Sequence, residues 1–266
     1  MAQKRFEDSF AKRSLGQNFL VDRGVIQKLV DAFDPTKDDV VLEIGPGRGA
    51  LTEELIERAR EVFALEFDRN LAEIIRQKFS ARKNFTLIED DALHIDLAAI
   101  AGVDQPLRLI ANLPYNISTA ILQRLFTYPD VFSDCVLMFQ REVAERITAL
   151  PGTKDRGFLT VLTELHFEVE RLFDVSPDAF RPVPKVWSSV VRMIPKKEPI
   201  VNEQVFRDLV GTAFTHKRKT MLNNLKARYP NAQTALTLSD IEVKRRAETL
   251  TLEEWLRLSE CIEQTN

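Results

Sequence analysis

Hydrophobic and polar positions alternate along the chain in short blocks that switch period. Val25, Ile26, Leu29, Val30 and Phe33 recur at helical spacing and predict a helix over Val25–Phe33. The run Val40-Val41-Leu42-Glu43-Ile44 then reads as a short buried strand, and Ala50–Arg60 as the helix after it. The rhythm repeats: strand Val62–Phe67 with helix Leu71–Phe79, strands Phe85–Ile88 and Leu107–Ala111 with helix Thr119–Phe126, and strand Cys135–Gln140 with helix Glu142–Ala149. Strands alternating with helices of this length predict an α/β fold: a mostly parallel, doubly wound, Rossmann-like sheet covered on both faces. Leu159–Arg171 and Ser188–Ile194 read as two further strands around a proline-rich stretch, Pro177–Pro184. Pro195-Lys196-Lys197-Glu198-Pro199 opposes regular structure and marks a linker. Beyond it the stripe Phe206, Leu209, Val210, Ala213, Phe214 opens an all-helical pattern running to Cys261. Two domains are therefore expected: residues 1–197, including a polar N-terminal segment 1–24, and a small helical domain over 198–266.

Composition changes this picture little. The 266 residues are 44% hydrophobic and 29% charged, as for a globular protein, with a net charge of -3. That charge does not announce a nucleic-acid binder, although phosphate is bound by local patches rather than by net charge. Cys135 and Cys261 lie far apart, and His94, His166 and His216 sit in no metal-ligand spacing, so no metal is expected and the thiols read as reduced. No leader-like apolar segment and no run long enough for a membrane span is seen, which leads to the expectation of a cytoplasmic protein.

Candidate chemistry concentrates at the ends of the strands. Gly45-Pro46-Gly47-Arg48-Gly49 joins a strand to a helix, where glycines let the backbone turn and approach a ligand. Dinucleotide enzymes use similar loops, so the acids around it matter. Glu43 precedes the loop, Glu66 ends the next strand, and Asp90-Asp91 ends the third. An acid in the Glu66 position accepts hydrogen bonds from ribose hydroxyls, and one at Asp91 from an adenine amine. A pyrophosphate would call for basic contacts; this acidic set better suits a nucleoside carrying a cationic sulfonium, S-adenosylmethionine. Glu61 and Asp68 read as solvated neighbours.

After the fourth strand comes Asn112-Leu113-Pro114-Tyr115. The Asn side-chain carbonyl and the next backbone carbonyl offer two acceptors to an NH2 group. Pro114 fixes the turn, and Tyr115 offers a flat face to a base. Phe180-Arg181-Pro182-Val183-Pro184 is a second candidate platform, with Phe180 held on a stiff loop. Thr215–Arg228 contains five Lys/Arg and no acid. Lys217, Arg218, Lys219 and Lys226, with Arg13 from the N-terminal segment, are candidate phosphate contacts for folded RNA.

Together these motifs resemble the small-subunit ribosomal RNA adenine N6,N6-dimethyltransferases, KsgA-like enzymes of ribosome maturation. The resemblance runs through Arg13–Leu20, Leu42–Gly47, Leu51-Thr52, Glu66, Asp91-Ala92, Asn112–Asn116 and Phe180–Val186, nearly the whole chain. It implies a class I methyltransferase domain over 1–197 and an RNA-binding helical domain over 198–266. It also implies that Asn18, Leu20 and Gly47 border the cofactor, with Gly45 at its methionine end, Glu66 on the ribose and Asp91 on the adenine. Asn112 would be shared between cofactor and target amine, with Tyr115 and Phe180 sandwiching the target base. The implied reaction dimethylates two adjacent adenines in a 3′-terminal hairpin of small-subunit rRNA within the immature subunit, releases S-adenosylhomocysteine, and needs no metal and no oligomer beyond the monomer. Rival expectations are a large-subunit rRNA adenine methylase and a non-catalytic assembly or transcription factor that kept the fold. A DNA adenine methylase fits less well, because those enzymes usually carry Pro-Pro where this chain has Leu113-Pro114.

Overall fold

In a computed structural model the chain is described at residues 16–100, 106–196 and 202–265. Arg13 and most of the expected linker lie outside them. The described chain opens with a two-residue strand, β1 (Phe19–Leu20), and helix α1 (Arg23–Phe33), whose N-terminus is capped by the Asp22 side chain on Val25 N. Then follow β2 (Val40–Ile44), α2 (Ala50–Arg58), β3 (Glu61–Glu66), α3 (Arg69–Phe79), β4 (Phe85–Glu89), β5 (Leu107–Asn112), α4 (Ser118–Leu125), β6 (Phe132–Gln140) and α5 (Arg141–Ile147). The expected alternation is present, with ends shifted by one to three residues.

The seven-stranded sheet has the order β4-β3-β2-β5-β6-β9-β7, where β7 is Phe167–Val175 and β9 is Ser188–Pro195. β4, β3, β2, β5 and β6 pair in parallel, and β9 pairs antiparallel with β6. β2 is buried at every residue, as expected of a central strand covered on both faces. A second, two-stranded sheet pairs β1 with β8 (Phe180–Arg181), placing Leu20 opposite Phe180.

One strand expectation is corrected. Leu159–His166 is not strand but helix, α6 (Phe158–His166), and only Phe167 onward is extended. Leu159, Thr160, Val161, Leu162, Thr163, Leu165 and His166 are all buried. A helix buried at nearly every position carries no polar stripe, so its period is not readable in the sequence. The Thr163 hydroxyl bonds the Leu159 carbonyl one turn back, which hides a polar group within the helix.

The remaining helices are α7 (Glu203–Ala213), α8 (Met221–Leu225), α9 (Ala232–Leu238) and α10 (Leu252–Thr265). The chain separates into two compact units, one comprising the chain up to Ala144 with Glu170–Pro195, the other Glu145–Val169 with Lys196 onward. This differs from the single break expected near residue 198. The physical reason lies in α6, which packs against α7 and α10 and so joins the helical unit from within the first 197 residues. That unit has its own core of Phe206, Leu209, Val210, Trp255 and Leu258, with the Phe214 and Trp255 rings 5.8 Å apart.

Candidate active site

Parallel register brings the ends of four strands to one edge of the first unit. Ile44 of β2 pairs with Leu65, Glu66 of β3 with Glu89, and Asn112 of β5 with Met138 of β6. Ligands of open α/β sheets bind outside this carboxyl edge. A cleft opens there, walled by Asn18, Phe19, Leu20, Glu43, Gly45, Gly47, Glu66, Asn112, Leu113, Pro114 and Tyr115. A second lobe is lined by Phe67, Asp68, Asp90, Asp91 and Leu93. Gln17, Gly45, Glu66 and Pro114 belong to both lobes, so the two meet at Glu66.

Each wall has a local cause. Gly47 holds φ +58°, and a Cβ there would come within 3.1 Å of the Phe19 ring. Only glycine therefore lets the loop lie against β1 while turning. Its N–H donates to Glu66 Oε2 at 3.2 Å, and Asp68 N donates to Oε1 at 2.9 Å. Burial nevertheless pushes the Glu66 carboxyl above its usual range, against the pull of those donors. Glu43 is deeper still. Burial raises its pKa from 4.5 to about 7, and the Thr52 hydroxyl donates to its Oε2 at 2.6 Å. Asp91 closes the far lobe, accepting from Leu93 N at 2.8 Å with His94 Nδ1 2.9 Å from its other oxygen. Carboxylate oxygens have more than one lone pair, so Glu66 and Asp91 keep acceptor capacity.

At the mouth, Asn112 Nδ2 donates to the Asn18 carbonyl at 3.1 Å, which ties β5 to the N-terminal segment and leaves Oδ1 as an acceptor. Tyr115 is half-buried; its hydroxyl lies 2.6 Å from Ser188 Oγ, and burial raises its pKa, keeping it a neutral phenol. The Pro114 carbonyl accepts from Ile117 N and Ser118 N and starts α4. The turn between β5 and α4 is thereby rigid.

The structure thus brings together Asn18, Leu20, Gly45, Gly47, Glu66, Asn112, Leu113, Pro114 and Tyr115, with Asp91 in the adjoining lobe. It does not bring Phe180 to the cleft wall. Phe180 is 0% exposed and belongs to the apolar core with Leu20, Val175, Ala179 and Val190, so it presents no free ring face. The β1–β8 pairing turns it inward, a contact between residues 160 apart in sequence that no local pattern reveals. Asp68 also departs from expectation. Rather than solvated it is buried, capping α3 at Asn70 N and accepting from Gln17 Nε2 at 3.1 Å. Gln17 and Phe19 were missed as wall residues. Their signal is their place beside Asn18 and Leu20, and the Arg48 guanidinium sits 4.7 Å from the Phe19 ring. Lys217, Arg218, Lys219 and Lys226 are all exposed in the helical unit, the first three on the turn between α7 and α8.

An activated methyl donor with a nucleoside body fits this donor set. Carboxylates at the Glu66 and Asp91 positions suit ribose hydroxyls and an adenine amine, and the Gly47 cradle suits a chain passing close to backbone. No helix among the described residues is long and apolar enough to cross a membrane.

Comparison with known proteins places the whole chain. A small-subunit rRNA methyltransferase A of Geobacter metallireducens is 43% identical over 268 residues, covering 97% of this chain and 98% of its own. The crystal structure of a dimethyladenosine transferase from Plasmodium falciparum superposes with a TM-score of 0.76 at 27% identity, covering 90% of this chain and 95% of that one. The 23S rRNA methyltransferase ErmE superposes with a TM-score of 0.71 at 30% identity, covering 93% and 100%. The family model described as "Ribosomal RNA adenine dimethylase" matches residues 9–264. Strand-end acids, a glycine cradle and an Asn-Leu-Pro-Tyr turn sharing one cleft are what that match covers here, and the chain belongs to the ribosomal RNA adenine dimethylase family.

Proposed function

We propose that this chain transfers methyl groups from S-adenosylmethionine to the N6 amine of two adjacent adenines in a 3′-terminal hairpin of small-subunit rRNA. It would act as a monomer on the immature subunit in the cytoplasm. The observation that carries the reading is that Asn112 and Tyr115 line the same cleft as Gly45, Gly47 and Glu66. Bound S-adenosylmethionine supplies an electrophilic methyl on a positive sulfur and is released as S-adenosylhomocysteine. Glu66 would hold its ribose, Asp91 its adenine, and the Gly45–Gly47 turn, with Asn18 and Leu20, its amino-acid end.

The chain's own contribution to chemistry is positioning. The N6 lone pair of adenine is delocalised into the ring and is a poor nucleophile. Asn112 Oδ1 and the Leu113 carbonyl accept the two amine hydrogens and favour a geometry in which that lone pair turns out of the plane. Held this way, the amine would face the electrophilic methyl that S-adenosylmethionine supplies, and its proton would be free to pass to solvent. Fixing such a geometry is worth about 7–11 kcal/mol at best. Tyr115 supplies the stacking face. Phe180, enclosed in the core, holds β8 and with it β1 in place.

Lys217, Arg218, Lys219 and Lys226, with Arg13, would contact RNA phosphates. The 43% identity to a small-subunit enzyme supports that substrate over the large-subunit one named for the 30% relative. The test is transfer of tritiated methyl to ribosomal subunits that lack the modification. Label recovered as N6,N6-dimethyladenine from small subunits is expected. Label in large subunits instead, or no label with retained subunit binding, would overturn the reading in favour of the large-subunit or non-catalytic alternative.

A further inference from the structure

The loop between β8 and β9 contains three exposed apolar residues within five: Val183 at 51%, Val186 at 43% and Trp187 at 46% of full exposure. Single exposed aliphatics are ordinary, but an indole left half in water asks for a partner. The other tryptophan, Trp255, is 0% exposed.

Strand register settles where Trp187 stands. Asn112 pairs with Met138 of β6, and Gln140, two residues on, pairs with Ser188 of β9. The Trp187 carbonyl accepts from Arg141 N at 2.9 Å, continuing that ladder to the same carboxyl edge that carries Asn112 and Tyr115. Ser188 Oγ lies 2.6 Å from the Tyr115 hydroxyl. With adjacent Cα atoms about 3.8 Å apart, the Trp187 backbone is within about 9 Å of that hydroxyl. This is on the order of one nucleotide step. Pro182 and Pro184 stiffen the loop, and Lys185, two residues before Trp187 in the chain, is exposed.

We propose that Trp187 is a second stacking platform, which holds the nucleotide next to the adenine being methylated. The inference rests on the proposed function. It adds to it a residue that holds the strand beside the flipped base and so helps select where methylation occurs. A nucleotide is favoured over a protein partner because the only aromatic ring of this small patch stands at the edge that carries Asn112 and Tyr115, in a loop with the exposed Lys185. Aromatic rings hold single-stranded bases this way with little regard to sequence.

Trp187→Ala and Trp187→Phe test it in the full chain, with small subunits lacking the modification as substrate. The indole is exposed and outside the core, so both variants fold. Trp187→Ala is expected to raise KM for subunits roughly five- to 150-fold. Its kcat should change less than about threefold, and S-adenosylhomocysteine affinity should stay at the wild-type value. Trp187→Phe, which keeps an aromatic face, should recover most of the loss. Ultraviolet irradiation of the wild-type complex should attach a nucleotide to the peptide holding Trp187. A wild-type KM in Trp187→Ala, or a cross-link from this peptide to a ribosomal protein, overturns the proposal. Should wild-type protein transfer no methyl to adenine, the proposed function fails. Filter-retention affinity and the cross-link then still decide the role of Trp187.

Discussion

Glu43 is an acid in the middle of the sheet, and Glu43→Gln is expected to stabilise the protein at alkaline pH. The residue is 2% exposed, its carboxylate donates nothing while ionised, and among the described residues the Thr52 hydroxyl donating to its Oε2 is what offsets burial, with Glu66 adding like-charge repulsion. Its pKa of about 7 in the fold compares with 4.5 for the ordinary group, a gap worth about 3 kcal/mol. The sign follows from proton binding. Between pH 4.5 and 7 the folded chain holds a proton that the unfolded chain has released, so stability falls as pH rises and stays lower above 7. The amide introduced by Glu43→Gln keeps the Thr52 bond and cannot ionise. Guanidinium unfolding at pH 5 and pH 8 should show wild type losing about 2–3 kcal/mol more than the variant across that span. Some slope remains in Glu43→Gln because Glu66 is also held above its usual range. Identical pH slopes in the two proteins would refute this account of the buried acid.

Three further outcomes test other parts of the structure. Asn112→Ala should lower methyl transfer at least about 100-fold, as removal of a positioned polar partner commonly does, with the fold and S-adenosylhomocysteine binding retained. Turnover near wild type, followed by tritium incorporation into RNA, would remove the proposed role of Asn112. Lys217, Arg218 and Lys219 changed together to Ala should weaken RNA binding and reduce the slope of log affinity against log salt by about 2–3. An unchanged slope in filter binding would put the phosphate contacts elsewhere. Gly49→Ala should cost about 2–4 kcal/mol in denaturant unfolding, because its φ of +79° strains any other residue and the new Cβ would lie 2.5 Å from the Phe79 ring.

Much of the site could be read locally. Strands at 40–44, 61–66, 85–89 and 107–112 are short apolar blocks ended by polar turns, and parallel alternation alone requires their carboxyl ends to share an edge. Glu66, Asp91 and Asn112 stand at or just beyond such ends, so the sequence determined that acid-bearing loops and the Asn112 turn would be neighbours. Turn chemistry and period are properties of a few consecutive residues, and they survive folding. What only the tertiary structure decided depends on contacts far apart in the chain. Phe180 is enclosed because β8 pairs with β1 across 160 residues, and Asp68 is buried because Gln17 returns to cover it. α6 has no visible period because neighbours cover seven of its nine residues, and it belongs to the helical unit for the same reason. Trp187 stays half in water because β9 begins its pairing one residue later, at the edge of the sheet that carries Asn112. Burial is set by whatever the rest of the chain brings alongside, and no stretch of sequence carries that information by itself.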